Sequence, residues 1–183
     1  MRILFEGNLG SEAKILARVL RKAFSLRCKA EKKDLSSAFK SSRKLKGFVV
    51  RKTRKFRNCV LLTHRDIFVP KAKSREGDWI FGYAFGTTNQ FFISVARLRS
   101  RDRRKYRKRL EFITIHELGH RLVKKQKHFK KFIWKNPKTG HTTDLGMHCQ
   151  DNKCIMAEVI DSRDMDKHIR MNYKGHFCKR CKT

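Results

Sequence analysis

The sequence predicts an α+β fold: a small, mixed, twisted sheet with helices packed on it and a cysteine-rich C-terminal subdomain. Three features predict it: short apolar or aromatic runs bounded by turn residues, two stretches with apolar residues at helical spacing, and four of six cysteines at or beyond Cys149. Ile3, Leu4 and Phe5 are the expected first strand, followed by a turn at Asn8, Gly10 and Ser11. Ile15, Leu16, Val19, Leu20, Phe24 and Leu26 then fall at helical spacing, so a helix is expected from Ser11 to about Leu26. Residues 28–57 are polar and cationic, which suggests a loop with one weak strand at Gly47–Val50. Cys59–Thr63 reads as a buried strand, ending near Asp66 and Pro70. Residues 79–85 and 91–95 read as neighbouring strands around the turn Gly86-Thr87-Thr88-Asn89. Phe112, Ile113, Ile115, Leu118, Leu122 and Val123 wrap widely around a second helix, whose middle is buried while its ends are wet.

At 183 residues the chain has room for one compact domain with a small appendage, and such a core needs no disulfide staples. Its charge is one-sided: 47 Lys+Arg against 16 Asp+Glu leave +31, a field that attracts polyanions. Nucleic acid is the commonest such partner and anionic membrane the second, while a solubilising surface explains the charge equally well. Residues 97–109 are almost solidly basic. Arg101, Arg103, Arg104, Lys105, Arg107 and Lys108 are the residues a nucleic acid would meet, joined by Lys124, Lys125, Lys127, Lys130 and Lys131. Such a stripe grips phosphates without reading bases, and no aromatic residues are interleaved for stacking. No stretch approaches the roughly 20 apolar residues that cross a bilayer. The opening ten residues are too short and too soon acidic for a secretory signal.

The motif His116-Glu117-Leu118-Gly119-His120 carries the chemistry. Residues four apart on a helix lie about 40° apart in angle and about 6 Å apart in rise, so both imidazoles can converge on one zinc ion. Glu117, rotated by about 100°, can stand beside the metal as general base without ligating it. Gly119 is costly inside a helix, which suggests another backbone packed close, such as a strand under a cleft. A catalytic zinc needs a third protein ligand, and His128, His141, His148 and Glu158 are the downstream candidates. The simple metzincin pattern, a glycine three residues after the second His and a His three later, fails, because Val123 and Gln126 hold those positions.

The cysteines supply a second site. Cys149 and Cys154, then Cys178 and Cys181, are two pairs with metal-ligand spacing, and four thiolates make a closed tetrahedral zinc site. That use of thiols implies a reducing compartment, cytoplasmic or otherwise intracellular. Cys59 reads as a small core residue, and Cys28 has no reading. Neither Tyr83 nor Tyr106 is placed beside the metal, and Asp66 reads as a turn acid.

Taken together, the HExxH motif, His148-Cys149, Cys154-Ile155-Met156 and Cys178-Lys179-Arg180-Cys181 resemble the archaemetzincins. The resemblance runs from about Val60 to the C-terminus, including 81–84 and 93–98, and more faintly over residues 1–24. It implies a metzincin-like fold with His148 as third catalytic ligand, four cysteines holding a structural zinc, and Met156 as the methionine of the turn beneath the catalytic metal. The family has few residues between the second and third His. Here residues 121–147 intervene, and they suggest a helix extension to about Phe132 plus a hairpin around Pro137. The expected division is therefore a catalytic domain over 1–148, containing that insertion, and a structural-zinc subdomain over 149–183.

The resulting expectation is a peptidase, endopeptidase or aminopeptidase, with two zinc ions per chain. A peptide or protein is its substrate, a zinc-activated water attacks, and Glu117 is general base and then proton donor. Two alternatives remain at this level: a SprT-like DNA-associated metallopeptidase, or a nucleic-acid-binding zinc protein with a vestigial peptidase site. The His148-Cys149 and Cys-Ile-Met motifs weigh against the first, and the intact Glu117 against the second.

Overall fold

The computed structural model describes residues 1–70, 72, 78–85, 87–123, 128–135, 137, 140, 142–171 and 177–182. In chain order the elements are β1 (Arg2–Phe5), α1 (Gly10–Phe24), β2 (Lys29–Lys32), β3 (Phe39–Ser42), β4 (Gly47–Val50), β5 (Cys59–Thr63), β6 (Ile67–Phe68) and β7 (Trp79–Ile80). They continue with β8 (Gly82–Phe85), β9 (Gln90–Ser94), α2 (Arg103–Leu122), β10 (Phe129–Lys135), β11 (Thr142–Cys149) and α3 (Ser162–Met171). The main sheet has the order β2-β1-β5-β9-β8, parallel except for β8, which runs antiparallel to β9. This is the mixed sheet of an α+β fold.

Alternation along the central strands divides the interior into two cores, because successive side chains point to opposite faces. Ile3, Val60, Leu62, Phe91 and Ile93 face the helices, packing with Leu16 and Leu20 of α1 and Leu110 and Ile113 of α2. Leu4, Cys59, Leu61 and Phe92 face the other way, against Leu35, Phe39, Val50 and Phe56. A second sheet, β3-β4-β6-β7, supplies part of that second layer, with the Phe39 ring edge-on to Phe92 at 5.6 Å. Covering on both faces is why β5 and β9 are buried throughout and read as continuous apolar runs.

The structure departs from expectation in three segments, the first being 79–85, expected as one strand but split into β7 of the second sheet and β8 of the main sheet. Residues 28–57 hold β2 and β3 as well as the expected β4. β2, Lys-Ala-Glu-Lys, is an edge strand with no buried residue, so pairing with β1 rather than its own pattern makes it a strand. The helix extension to Phe132 does not form: α2 stops at Leu122, and residues 129–135 are β10. Phe132 and Trp134 are half-buried while Ile133 and Lys135 are exposed, a period of two that belongs to a strand. The expected hairpin is present, β10 pairing antiparallel with β11. Gly86, Lys124, Lys125, Lys127 and His141, with most of the hairpin turn, lie outside the described residues. No described helix is long and apolar enough to cross a membrane.

α2 starts at Asp102, whose carboxylate accepts from the backbone N–H groups of Arg104 (2.7 Å) and Lys105 (3.2 Å), a helix N-cap. Seven residues on, the buried Arg109 donates to both oxygens of Asp166 at 2.7 Å and to the carbonyls of Leu98 and Arg99 at 3.2 Å. One guanidinium thereby ties α2, α3 and the approach to α2 together, and it holds the Asp166 carboxyl below its ordinary range. Replacing Asp166 by Asn leaves Arg109 buried without its counter-charge. We expect a loss of about 3–5 kcal/mol in chemical denaturation. In the native chain, the stabilisation from this lowered pKa is present above the ordinary carboxyl value, near 4, and is lost as pH falls through the lower folded-state value.

Candidate metal centres

α2 sets His116 and His120 on one face, with their Nε2 atoms 3.2 Å apart. β11 brings His148 to the same point, its Nε2 at 3.2 Å from that of His116, and the three ligand atoms lie within 4.8 Å of one another. The far nitrogen of His116 fixes its tautomer. His116 Nδ1 lies 2.8 Å from the carbonyl oxygen of Ile155, which only accepts, so Nδ1 carries the hydrogen and Nε2 presents a lone pair. His148 Nδ1 lies 2.6 Å from Glu158 Oε2, and neither buried atom has another hydrogen-bond partner. Burial, reinforced by the neighbouring imidazoles, holds His116 well below the ordinary histidine range and His120 at about 3. Three imidazole nitrogens converge on one point, and a divalent cation with nitrogen affinity is the group that fits.

Glu117, on the adjacent helix position, is buried, and burial followed by the charge of Glu158 raises its pKa to about 8. Gly82 of β8 makes the room: a Cβ there would overlap the Glu117 carboxyl group. Gly119 makes room in the same way, but for a side chain rather than the expected strand backbone, since a Cβ there would overlap Met156 Sδ. Met156 is fully buried beneath the helix, and its carbonyl accepts from the backbone N–H of Cys149 at 2.9 Å.

Immediately beyond His148 the chain enters a thiol cluster. Cys149 Sγ is 3.7 Å from Cys178 Sγ, and Cys154 Sγ is 3.6 Å from Cys181 Sγ. Cys154 Sγ also accepts from the backbone N–H groups of Met156 and Cys178. A zinc–sulfur length of about 2.3 Å gives tetrahedral S···S edges of about 3.8 Å, which these two separations match. Burial and neighbouring thiols push Cys149 up to about 12 and Cys181 higher, the condition a bound cation reverses. His128, one of the alternatives for third catalytic ligand, lies at this cluster instead, with Nε2 3.2 Å from Cys181 Sγ.

A cleft of about 1070 Å³ opens over the histidines, walled by β8, α2, β11 and residues 158–161. Tyr83 lines it, and burial followed by the charges of Glu117 and Asp144 raises its phenol above the ordinary value. The sequence names Tyr83 without placing it at the metal, because an aromatic in a strand carries no mark of the cleft it lines. Tyr106 points elsewhere, donating to Glu12 at 3.1 Å. The basic residues Arg101, Arg103, Arg104, Lys105, Arg107 and Lys108 are all exposed. Arg103 precedes His116 by about 20 Å of helix. Within the stripe, Lys105 pairs with Asp166 and Arg107 with Glu111.

No protein-family model matches this chain, and no curated protein does. Solved structures do. An archaemetzincin from Archaeoglobus fulgidus, crystallised with malonate, superposes with a TM-score of 0.67 at 22% identity, over 99% of this chain and 98% of that one. An archaemetzincin from Methanopyrus kandleri gives 0.61 at 22% identity, over 99% and 91%. A zinc-dependent peptidase from Methanocorpusculum labreanum gives 0.65 at 15%, over 99% and 97%. The fold is that of the archaemetzincins.

Gly119 and Met156 face each other because the turn after β11 passes directly under α2. Gly119→Ala should destabilise the protein by about 1–3 kcal/mol through overlap with Met156. Met156→Ala should cost about 2–5 kcal/mol by opening a cavity. Because the two changes share one space, the double variant should lose clearly less than the sum, read as a coupling energy in a denaturation cycle. Strict additivity would place the methionine away from the glycine.

Proposed function

We propose that this chain is a zinc metallopeptidase, with a catalytic zinc held by His116, His120 and His148 and a structural zinc held by Cys149, Cys154, Cys178 and Cys181. The observation that carries the reading is the convergence of three imidazole nitrogens beside a buried carboxyl group in one cleft. Residues 1–148 form the catalytic part and 149–183 the cysteine-held subdomain. The thiols serve this role only when reduced, which fits a reducing compartment. Bound zinc would supply Lewis-acid polarisation of the substrate carbonyl and activation of water.

The chain's own residues do the rest. Glu117 takes a proton from the attacking water and returns it to the departing amine. Its raised pKa suits the second task, while a cation at the histidines favours the ionised form needed for the first. Glu158 accepts from Nδ1 of His148, fixing the ring's orientation and the basicity of its Nε2. β8 is an edge strand of the main sheet and borders the cleft, so an extended peptide can add to it through backbone hydrogen bonds.

The first test is metal content by elemental analysis. We expect two zinc ions per chain, falling to one in His148→Ala with the fold retained; one zinc that His148→Ala leaves in place would sink the assignment. Glu117→Gln should keep both ions and lower peptide hydrolysis by about 10²–10⁴-fold. Glu158→Gln should weaken zinc at the histidine site by about 10–100-fold in chelator competition while leaving the cysteine site unchanged.

A further inference from the structure

Five donors, rather than four, gather at the cysteine cluster. Besides the four thiols, His128 presents Nε2, and this nitrogen together with the Sγ atoms of Cys149, Cys178 and Cys181 forms a set within 4.8 Å of one another. The hairpin holds His128 there. Phe129, the first residue of β10, pairs in register with Cys149, the last of β11, so the residue before Phe129 is delivered to the thiol end of the ladder. Phe129 is buried and its ring lies edge-on to the His128 imidazole at 5.0 Å, which anchors the segment. His128 itself is half-buried, and its Nε2 stands 3.2 Å from Cys181 Sγ. Zinc–nitrogen and zinc–sulfur lengths of about 2.0 and 2.3 Å imply a tetrahedral N···S edge of about 3.5 Å, close to this separation.

We propose that His128 is a ligand of the second metal site, a fifth donor that takes a coordination position when Cys154 does not supply one, so that the site holds zinc as Cys₃His as well as Cys₄. The proposal rests on the reading that the cysteine cluster holds a metal. Zinc accepts both donor sets in closed structural sites. Cys154 is the thiol that His128 replaces, because His128, Cys149, Cys178 and Cys181 already make a complete set of four. Exchange of a thiolate for a neutral imidazole makes the site less negative by one charge and leaves coordination number unchanged. A thiol lost to oxidation or alkylation at position 154 would then not cost the subdomain its metal.

The test uses the full chain loaded with cobalt(II), whose thiolate charge-transfer bands are produced by the cysteine site and not by the three histidines. Cys154→Ala should retain those bands at reduced intensity, with the ligand-field bands moved to shorter wavelength as imidazole replaces sulfur. The double variant His128→Ala/Cys154→Ala should lose them. Loss of the bands in Cys154→Ala alone, or their persistence in the double variant, would overturn the role of His128. Absence of thiolate bands from the wild-type chain would instead defeat the underlying metal-site reading. Should Cys154→Ala fail to fold, His128→Ala in the otherwise native chain answers the question. Zinc transfer from the cysteine site to a chelator should become about 10-fold faster or more, by analogy with the weakening that loss of a supporting group produces. An unchanged rate would overturn the proposal.

Discussion

The backbone step from His148 to Cys149 joins the two donor clusters, and much of the molecule is arranged around it. Consecutive residues on a strand point to opposite faces, so a single peptide sends an imidazole into the cleft and a thiol towards the C-terminal tail. The N–H of Cys149 bonds to the Met156 carbonyl, Met156 lies under Gly119, and Ile155 holds the His116 ring through its carbonyl. The short segment 149–156 therefore touches His116, the helix beneath it and the thiol cluster at once.

Acidic residues are scarce in this chain, and the structure places several of them at internal junctions. Asp166 ties Arg109, Asp66 accepts from Nε and Nη2 of Arg97 at 2.6 Å, Glu6 receives Arg65, and Glu158 faces His148. With acids engaged in this way, the exposed surface is left largely to lysine and arginine. The excess of +31 thus has a structural contribution that requires no partner: negative charge is concentrated where it positions elements, and positive charge keeps the outside wet. Part of the basic stripe on α2 fits that account, since Lys105 and Arg107 serve as intramolecular partners.

What could be read in advance was set by how local the signal is. β1, α1, β5 and β9 were legible because apolar periodicity reflects burial within a few residues, and the HExxH motif was legible because helix geometry alone brings positions 116 and 120 together. β2 and β3 were not, because their strand character comes from partners at a distance, and an edge strand of alternating charge looks like a loop. The end of α2 was misjudged because lysines after Leu122 are good helix formers, whereas Phe132 and Trp134 obey a strand period that only the pairing with β11 makes decisive. Within the clusters, the position of His148 came from resemblance. The neighbours that matter to it, Glu158 at one histidine and His128 at the thiols, depend on turns whose course no spacing rule specifies.

The tail makes the same point energetically. Apart from α3, residues 150–182 contain little regular structure among those described, and a short segment with few ladder hydrogen bonds has little means of opposing its own conformational entropy. Metal binding by ligands drawn from both ends of such a segment is folding free energy, because the set does not exist in the unfolded chain. Cys149 and Cys154 lie at one end of it, Cys178 and Cys181 at the other, and α3 between them is fastened to α2 through Asp166. Loading the thiol cluster would therefore close a loop already anchored at its middle, and the strand it stiffens is the one that carries His148. On the proposed reading, occupancy of the distal site and alignment of the third imidazole would be one coupled equilibrium, and the order of the cleft would depend on a metal bound outside it.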